Sequence, residues 1–188
     1  MRYFLCGQTG NINRGCEAII RSTVKVLGQR NGDIYVATHA PELDRPMARE
    51  LGISLIPYAG YPTAAHRCFC AFLRKLVRSS LAGLDYIQRP LLKKLKSDDI
   101  CLTIGGDTYC YGRPIFNIHL NKYTAKKGIK NVLWCCSIEA ENINKEILSD
   151  LNRYKYIFAR EGITYKNLKD AGVKTNIIKC CDPAFFLD

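Results

Sequence analysis

The sequence predicts an α/β protein with a Rossmann-like, doubly wound and mostly parallel sheet of about seven strands and helices on both faces. Two observations carry this prediction. Short apolar runs alternate with longer amphipathic segments along the whole chain. The runs are apolar on both faces, as in strands of a parallel sheet that is covered by helices on each side. A length of 188 residues suits one domain with a real core, so residues 1–188 are predicted to form a single domain.

The predicted elements follow one another without an internal repeat or a low-complexity linker. The strand segments, in chain order, are RYFLC, DIYVAT, SLIPY, DICLTIGG, NVLWCCSI, YIFARE and TNIIKCC. Helical spacing or good helix formers mark the segments near 15–29, 41–51, 64–96, 114–128, 142–151 and 162–171. Because ligands of such folds bind outside the carboxyl ends of the strands, the loops that follow the strands are where chemistry is expected.

The net charge of +11 comes mostly from one segment. Residues 61–96 carry eight basic side chains and one acidic side chain. Apolar residues at helical spacing lie there beside Arg67, Arg74 and Lys75, which predicts a basic amphipathic helix. Residues 66–84 could contact an anionic membrane surface, or could pack on the core with a solvated basic face. Because the charge is local, no nucleic-acid partner is expected.

The ten cysteines are predicted to be reduced thiols. The amino-terminal MRYFLCGQTG has no apolar run of secretory length, so we expect a cytoplasmic protein, peripheral at the inner face of the membrane if the basic segment binds there. Adjacent or nearly adjacent cysteines cannot converge on zinc and no CxxC occurs, so no metal site is predicted. No apolar stretch reaches the about 18 residues of a transmembrane helix.

The loop after the first strand is glycine-rich and leads into a helix. Backbone amides at the helix start could hold an anion. Asn11, Arg14, Gly15 and Glu17 are the candidate site residues of this loop. The spacing matches neither a dinucleotide fingerprint nor a Walker loop, and Asn13 could simply cap the helix.

The loop after the fourth strand, IGGDTYCYGRP, offers a second group of candidates. Gly105 and Gly106 would allow a ligand to approach the backbone closely, and Asp107 is a candidate acid or base. Tyr109, Tyr111 and Arg113 are candidate ring and cation contacts for a sugar or an anion. The alternative is a tight turn with a capping aspartate.

The later strands end in Ser137, Arg160 and Asp182. Arg160 closes an apolar run, so its guanidinium should have an anionic partner. That partner could be a substrate, or one of Glu139, Glu161 and Asp182. An Asp-Pro pair also commonly forms a turn, which is the alternative for Asp182.

Taken together, GNINRGCEAI, IGGDTYCYGRP and AREGITYKNLKDAGV followed by CCDPAFFLD resemble the polysaccharide pyruvyl transferase family in their order and spacing. The resemblance implies two Rossmann-like domains arranged as in GT-B glycosyltransferases, with this chain similar to the amino-terminal one. We therefore expect a second domain to be absent here, and basic and histidine residues on it to help hold the donor. Cys16, Asp107 and Glu139 depart from the common family pattern, which points to a divergent subgroup with a different acceptor.

The resemblance implies transfer of a pyruvyl group from phosphoenolpyruvate to two hydroxyls of a polysaccharide or lipid-linked saccharide, giving a cyclic ketal. Position by position, it implies Arg160 and Arg14 as anion contacts and Asp107 or Glu17 as the acid/base. Phosphoenolpyruvate is then the donor substrate, and no cofactor or metal is expected. The remaining candidate substrate contacts are Asn11, Gly15, Gly105, Gly106, Tyr109, Arg113, Ser137 and Asp182.

Two other functions are compatible with the same pattern. A GT-B glycosyltransferase would share the alternation of strands and helices and would use this domain chiefly for its acceptor. A non-enzymatic module would bind membrane lipid headgroups or nucleic acid through residues 61–96. The oligomeric state is left open by the sequence.

Overall fold

The computed structural model of the protein describes residues 1–7, 13–28, 33–59 and 83–187, together with residues 65, 68, 69, 71 and 72. Most of the predicted basic amphipathic helix, including Arg67, Arg74 and Lys75, lies outside these residues. Asn11 lies outside them as well.

All seven predicted strands are confirmed, with bounds close to the apolar runs. They are β1 (Tyr3–Cys6), β2 (Ile34–Thr38), β3 (Ser54–Pro57), β4 (Ile100–Thr103), β5 (Lys130–Cys136), β6 (Tyr156–Ala159) and β7 (Asn176–Lys179). Every neighbouring pair is parallel. The strands form one sheet in the order β3-β2-β1-β4-β5-β6-β7. The doubly wound prediction is therefore confirmed.

Six α-helices of the described segments connect these strands. They are α1 (Arg14–Val26), α2 (Pro41–Leu51), α3 (Leu84–Lys94), α4 (Ile115–Lys127), α5 (Lys145–Leu151) and α6 (Gly162–Asp170). Two 3₁₀ turns, Ala140–Asn142 and Pro183–Phe186, follow β5 and β7. Asn13 caps α1, as its place before the helix indicated: its side chain accepts a hydrogen bond from Gly15 N at 2.8 Å.

Apolar side chains pack on both faces of the sheet. One cluster joins β1, β2 and β4 to α1 and α2, with Leu5, Ile20 and Val36 fully buried at its centre. The other face holds a cluster that includes Phe4 and Leu91, and a further cluster under α5 and α6. The sheet is thus a buried central layer, which explains why its strands are apolar throughout.

The strand order reverses direction between β1 and β4. From β1 the chain builds outward to β2 and β3, then returns to β4 and builds the other way. Loops that leave the carboxyl ends of β1 and β4 therefore diverge and leave a crevice between them, which is where ligands of open α/β sheets bind.

None of the helices in the described segments is long and apolar enough to cross a membrane.

Candidate active site

The crevice between β1 and β4 is bounded by two glycines with positive φ. Gly7 follows β1 with φ +92°, and Gly105 follows β4 with φ +113°. A Cβ on Gly7 would lie 2.8 Å from Ile104 O, and a Cβ on Gly105 would lie 3.1 Å from Gly7 O. The two loop backbones approach each other so closely that neither position accommodates a side chain.

A cavity of about 220 Å³ opens at this crevice, and we call it the switch-point cavity. Its lining is supplied by the ends of β1 and β4 and by the start of α1. Among the described residues, the lining consists of Gly7, Asn13, Cys16, Gly105, Asp107, Thr108 and Tyr111. Two of the sequence candidates, Gly105 and Asp107, therefore meet the amino-terminal end of α1, where the helix dipole favours negative charge.

A second group of candidates converges two strands beyond β4, around Arg160 at the end of β6. Arg160 donates from Nε to Ser137 Oγ at 2.7 Å and from Nη1 to Asp182 Oδ2 at 3.1 Å. Its guanidinium lies against Gly106, where an added Cβ would be 2.1 Å from Nη1. The sequence left the partner of Arg160 open; within the protein it is Asp182, which also caps the following 3₁₀ turn by accepting from Ala184 N.

A bulge in β5 lies beside this group. The register of β5 on β6 shifts between Leu133 and Cys136, and Cys135 has φ +53°, a positive φ that no other described non-glycine residue has. Bulges re-aim the side chains that follow them and are common next to active sites. Immediately after the bulge, Ser137 N donates to Gly106 O at 2.5 Å, which joins the β5 loop to the β4 loop.

The Cys110 thiol reports the electrostatics between the two groups. Burial raises its pKa, and the negative charges of Asp107 and Glu139 raise it further, whereas the positive charge of Arg160 opposes the rise. Carboxylate and guanidinium groups therefore affect the pKa of this partly buried thiol in opposite directions. Charges of both signs meet at the carboxyl edge of the sheet, as a site for proton transfer to an anionic substrate requires.

Two candidates have other partners in the structure, and two more lie exposed at the start of α1. Glu17 accepts from Arg21 Nε at 2.8 Å, and Arg21 also binds Glu50 through both terminal nitrogens at 2.7 Å. Arg113 forms a two-point ion pair with Glu146 on α5. Arg14 and Gly15 lie exposed in the first turn of α1.

Tyr109 lies in the core rather than in the crevice. It is 1% exposed, and its hydroxyl bonds Asp150 Oδ2 at 2.7 Å and the Tyr154 hydroxyl at 2.8 Å. The exposed neighbour Tyr111 is the ring that lines the cavity. Tyr109 therefore anchors the β4 loop to α5, whereas Tyr111 faces solvent. The local sequence TYCYG does not by itself show which tyrosine is buried.

Sequence reasoning missed several residues at the same edge of the sheet. They are Tyr58, Thr108, Phe116 and Asn117, and together with His39 and Tyr111 they line a further cavity. Tyr58 directly follows β3, so the rule that ligands bind at carboxyl strand ends would have found it. Phe116 and Asn117 lie in the first turn of α4 and carry no such signal.

Among the described residues, no group of three or more histidine, cysteine, aspartate or glutamate side chains is arranged to hold a metal ion.

Comparison with known families gives one decisive match. The family model for polysaccharide pyruvyl transferases matches residues 13–188. The chain belongs to this family. A search of curated proteins found no significant match. The match spans both groups of candidates, from the start of α1 to Asp182, and confirms the resemblance read from the three sequence blocks. A polysaccharide pyruvyl transferase is a transferase of polysaccharide biosynthesis, with a saccharide as its acceptor.

Proposed function

We propose that this polysaccharide pyruvyl transferase moves the pyruvyl group of phosphoenolpyruvate onto two hydroxyls of a saccharide and forms a cyclic ketal. One observation supports the proposal most: Arg160 is held by Ser137 and Asp182 against the backbone of Gly106, directly beside Asp107 in the chain. A fixed cation next to a carboxyl group suits a donor that carries carboxylate and phosphate.

The proposed reaction needs proton transfer and anion stabilisation. An acid protonates the methylene carbon of the donor, which leaves a cationic carbon bonded to the phosphate oxygen. One sugar hydroxyl adds to that carbon and loses its proton to a base. The second hydroxyl then displaces phosphate and loses its proton, so two C–O bonds form and one breaks. We propose that side chains supply the proton transfers and the positive charge, so that the reaction uses no cofactor and no metal.

Asp107 is the better candidate for the acid/base. It is exposed and lines the switch-point cavity, whereas Glu17 is already bound to Arg21. Arg160 would contact the anionic donor, and the exposed Arg14 at the start of α1 would add a second positive charge. Exposed positions can move toward a substrate, but an ion-paired glutamate must first break its pair.

We propose further that residues 1–188 correspond to the amino-terminal half of a GT-B-like enzyme. Basic and histidine residues of a second domain would then complete the donor site. The resemblance of the sequence blocks supports this view, and so does the modest size of the switch-point cavity, about 220 Å³, which is below the about 300 to 1,000 Å³ typical of complete small-ligand sites.

A lipid-linked acceptor at the inner face of the cytoplasmic membrane would explain the basic segment. Phe69 and Phe72, in that segment, expose 56% and 59% of their surfaces. Exposed rings beside basic residues are typical of surfaces that bind an anionic bilayer. Co-sedimentation with vesicles that contain phosphatidylserine, but not with pure phosphatidylcholine vesicles, would support this contact; Phe69→Ser with Phe72→Ser should abolish it.

The central experiment measures phosphate release from phosphoenolpyruvate with a panel of saccharide acceptors and detects the ketal by mass spectrometry. It is run on this chain and on any longer form of the protein. Asp107→Asn should lower kcat by about 100-fold or more, and Glu17→Gln by far less. Asp98→Asn is the matched control, because Asp98 is an exposed aspartate at the opposite edge of the sheet.

Two results would overturn the proposal. One is the absence of phosphoenolpyruvate binding and of ketal in every form tested. The other is transfer from a nucleotide sugar instead, which would identify a glycosyltransferase reaction.

A further inference from the structure

A second cavity lies beside the switch-point cavity, over the ends of β2 and β3. It measures about 290 Å³, and we call it the aromatic cavity. It shares Gly7, Thr108 and Tyr111 with the switch-point cavity. Its volume is just below the about 300 to 1,000 Å³ of small-ligand sites, so it suits a single ring rather than an extended chain.

Three rings line the aromatic cavity. The His39 ring lies 4.4 Å from the Tyr58 ring and 5.2 Å from the Phe116 ring, measured between centroids. The Tyr58 and Phe116 rings are 6.1 Å apart. Tyr111, which is 80% exposed, adds a fourth ring at the border with the switch-point cavity.

One polar group of this cavity lacks a partner. Asn117 is 3% exposed, and its Nδ2 has no hydrogen-bond partner among the described residues. The side chain lines the cavity next to Gly7, where an added Cβ would lie 3.1 Å from Asn117 Oδ1. Because the terminal torsion of asparagine is soft, the amide can turn toward a ligand, and a ligand oxygen would then give Nδ2 its missing partner.

The cavity carries little net charge. Partial burial against its neighbours lowers the pKa of His39, so the imidazole is neutral at neutral pH. Arg113, at the rim, is neutralised by the two-point ion pair with Glu146. A neutral, ring-lined pocket with an amide favours an uncharged ligand that has apolar C–H faces and hydroxyl groups.

We propose that the aromatic cavity is the subsite for one neutral sugar ring of the acceptor. The ring would lie on the aromatic side chains of His39, Tyr58 and Phe116, with a hydroxyl on Asn117. That the bound sugar is the acceptor rests on the proposed function. That a sugar ring binds in this cavity does not. Because Thr108 and Tyr111 border both cavities, a sugar bound here lies next to the place proposed for the donor.

Saturation-transfer NMR tests the subsite without any turnover. The probes are methyl glucopyranoside, methyl galactopyranoside and methyl mannopyranoside at millimolar concentration, with uridine monophosphate as a nucleobase probe. At least one glycoside should bind, and uridine monophosphate should not compete with it. Asn117→Leu and Tyr111→Ala should each weaken glycoside binding by about fivefold or more.

Two controls separate binding from folding. Phe185→Ala is the matched control for Tyr111→Ala, because the two rings are 82% and 80% exposed but Phe185 lies outside the cavity. Phe185→Ala should leave glycoside binding unchanged. Asn117→Leu removes a buried amide whose Nδ2 has no hydrogen-bond partner among the described residues, so its melting temperature should equal or exceed that of the wild type. If this variant fails to fold, Tyr111→Ala decides the question.

The outcomes distinguish this inference from the proposed function. One outcome is that both variants weaken glycoside binding while the protein does not bind phosphoenolpyruvate. This outcome would support the sugar subsite and refute phosphoenolpyruvate as the donor. Another outcome is that the protein forms the ketal but Asn117→Leu and Tyr111→Ala leave glycoside binding unchanged. This outcome would refute the subsite and leave the proposed function standing. Binding of uridine monophosphate in place of every glycoside would assign the cavity to a nucleobase and overturn the inference, as would no glycoside binding at all.

Discussion

The guanidinium of Arg160 occupies the space that a side chain at position 106 would need, since a Cβ on Gly106 would lie 2.1 Å from Arg160 Nη1. The loop after β4 and the end of β6 are thereby fitted to each other. Among the described glycines of this crevice, Gly7 and Gly105 have positive φ and Gly106 does not, so glycine is needed at position 106 for the close approach of Arg160 and not for a left-handed backbone.

Gly106→Ala should therefore impair function more than stability. The clashing atom is the far end of a flexible side chain, so Arg160 will move and the fold will persist. A misplacement of about 1 Å can reduce turnover by about 100-fold, and we expect a loss of that order in ketal formation. The Arg160 Nε–H signal should shift in the NMR spectrum. Gly162→Ala is the control, because the nearest atom to its Cβ is 3.8 Å away; equal activity of both variants would contradict the prediction.

Tyr109→Phe should destabilise the protein. The Tyr109 hydroxyl is buried and bonds both Asp150 and Tyr154. Its removal leaves buried polar groups without a partner, which costs about 1 to 3 kcal/mol. Urea unfolding should show this loss, whereas Tyr111→Phe, at a position that is 80% exposed, should be neutral within about 0.5 kcal/mol. Equal stability of the two variants would mean that the hydroxyl network contributes nothing.

Asp150 should make stability depend on pH. Burial raises the pKa of this carboxyl in the folded protein, against the hydrogen bonds and the nearby Arg153 that lower it. The folded state then holds the proton more tightly than the unfolded chain, so the residue's contribution to stability falls as the pH rises above the ordinary aspartate value of about 3.9. Asp150→Asn mimics the neutral form. The unfolding free energy of the wild type should decline relative to this variant as the pH rises above about 4; a constant difference would refute the raised pKa.

Cys180 should be alkylated before Cys135. The two sulfur atoms are 3.5 Å apart, and the hydrogen bond with Cys135 lowers the pKa of Cys180, against burial and the charge of Asp182. The same contact, together with burial, raises the pKa of Cys135. Because the thiolate is the reactive form, iodoacetamide near neutral pH should modify Cys180 first, as peptide mapping would show.

A variant test isolates the cause of this reactivity. Cys135→Ala removes the sulfur partner of Cys180 and should slow the alkylation of Cys180. Cys101→Ala removes a buried thiol elsewhere in the sheet and should not change the rate. Faster alkylation of Cys180 in Cys135→Ala would show that steric access, rather than the hydrogen bond, controls the rate.

The sequence by itself determined the architecture and the edge of the sheet that carries the site. Apolar runs such as DIYVAT are typical of strands buried on both faces, and their alternation with helices indicates parallel order. Local chemistry also sufficed for Asn13, whose short polar side chain at the start of an amphipathic segment predicts the cap that is observed. The three family blocks lie at these loops, and the family match agrees with them.

Only the tertiary structure decided which candidates meet. Arg160 and Asp182 are 22 positions apart, and the parallel arrangement of β6 and β7 brings them together. Tyr109 and Tyr111 are alike in sequence context, yet packing against α5 buries one and leaves the other exposed. No sequence motif indicated a role for Asn117. Side-chain partners depend on contacts between distant segments, which are fixed by how the helices cover the sheet and not by the residues adjacent in the chain.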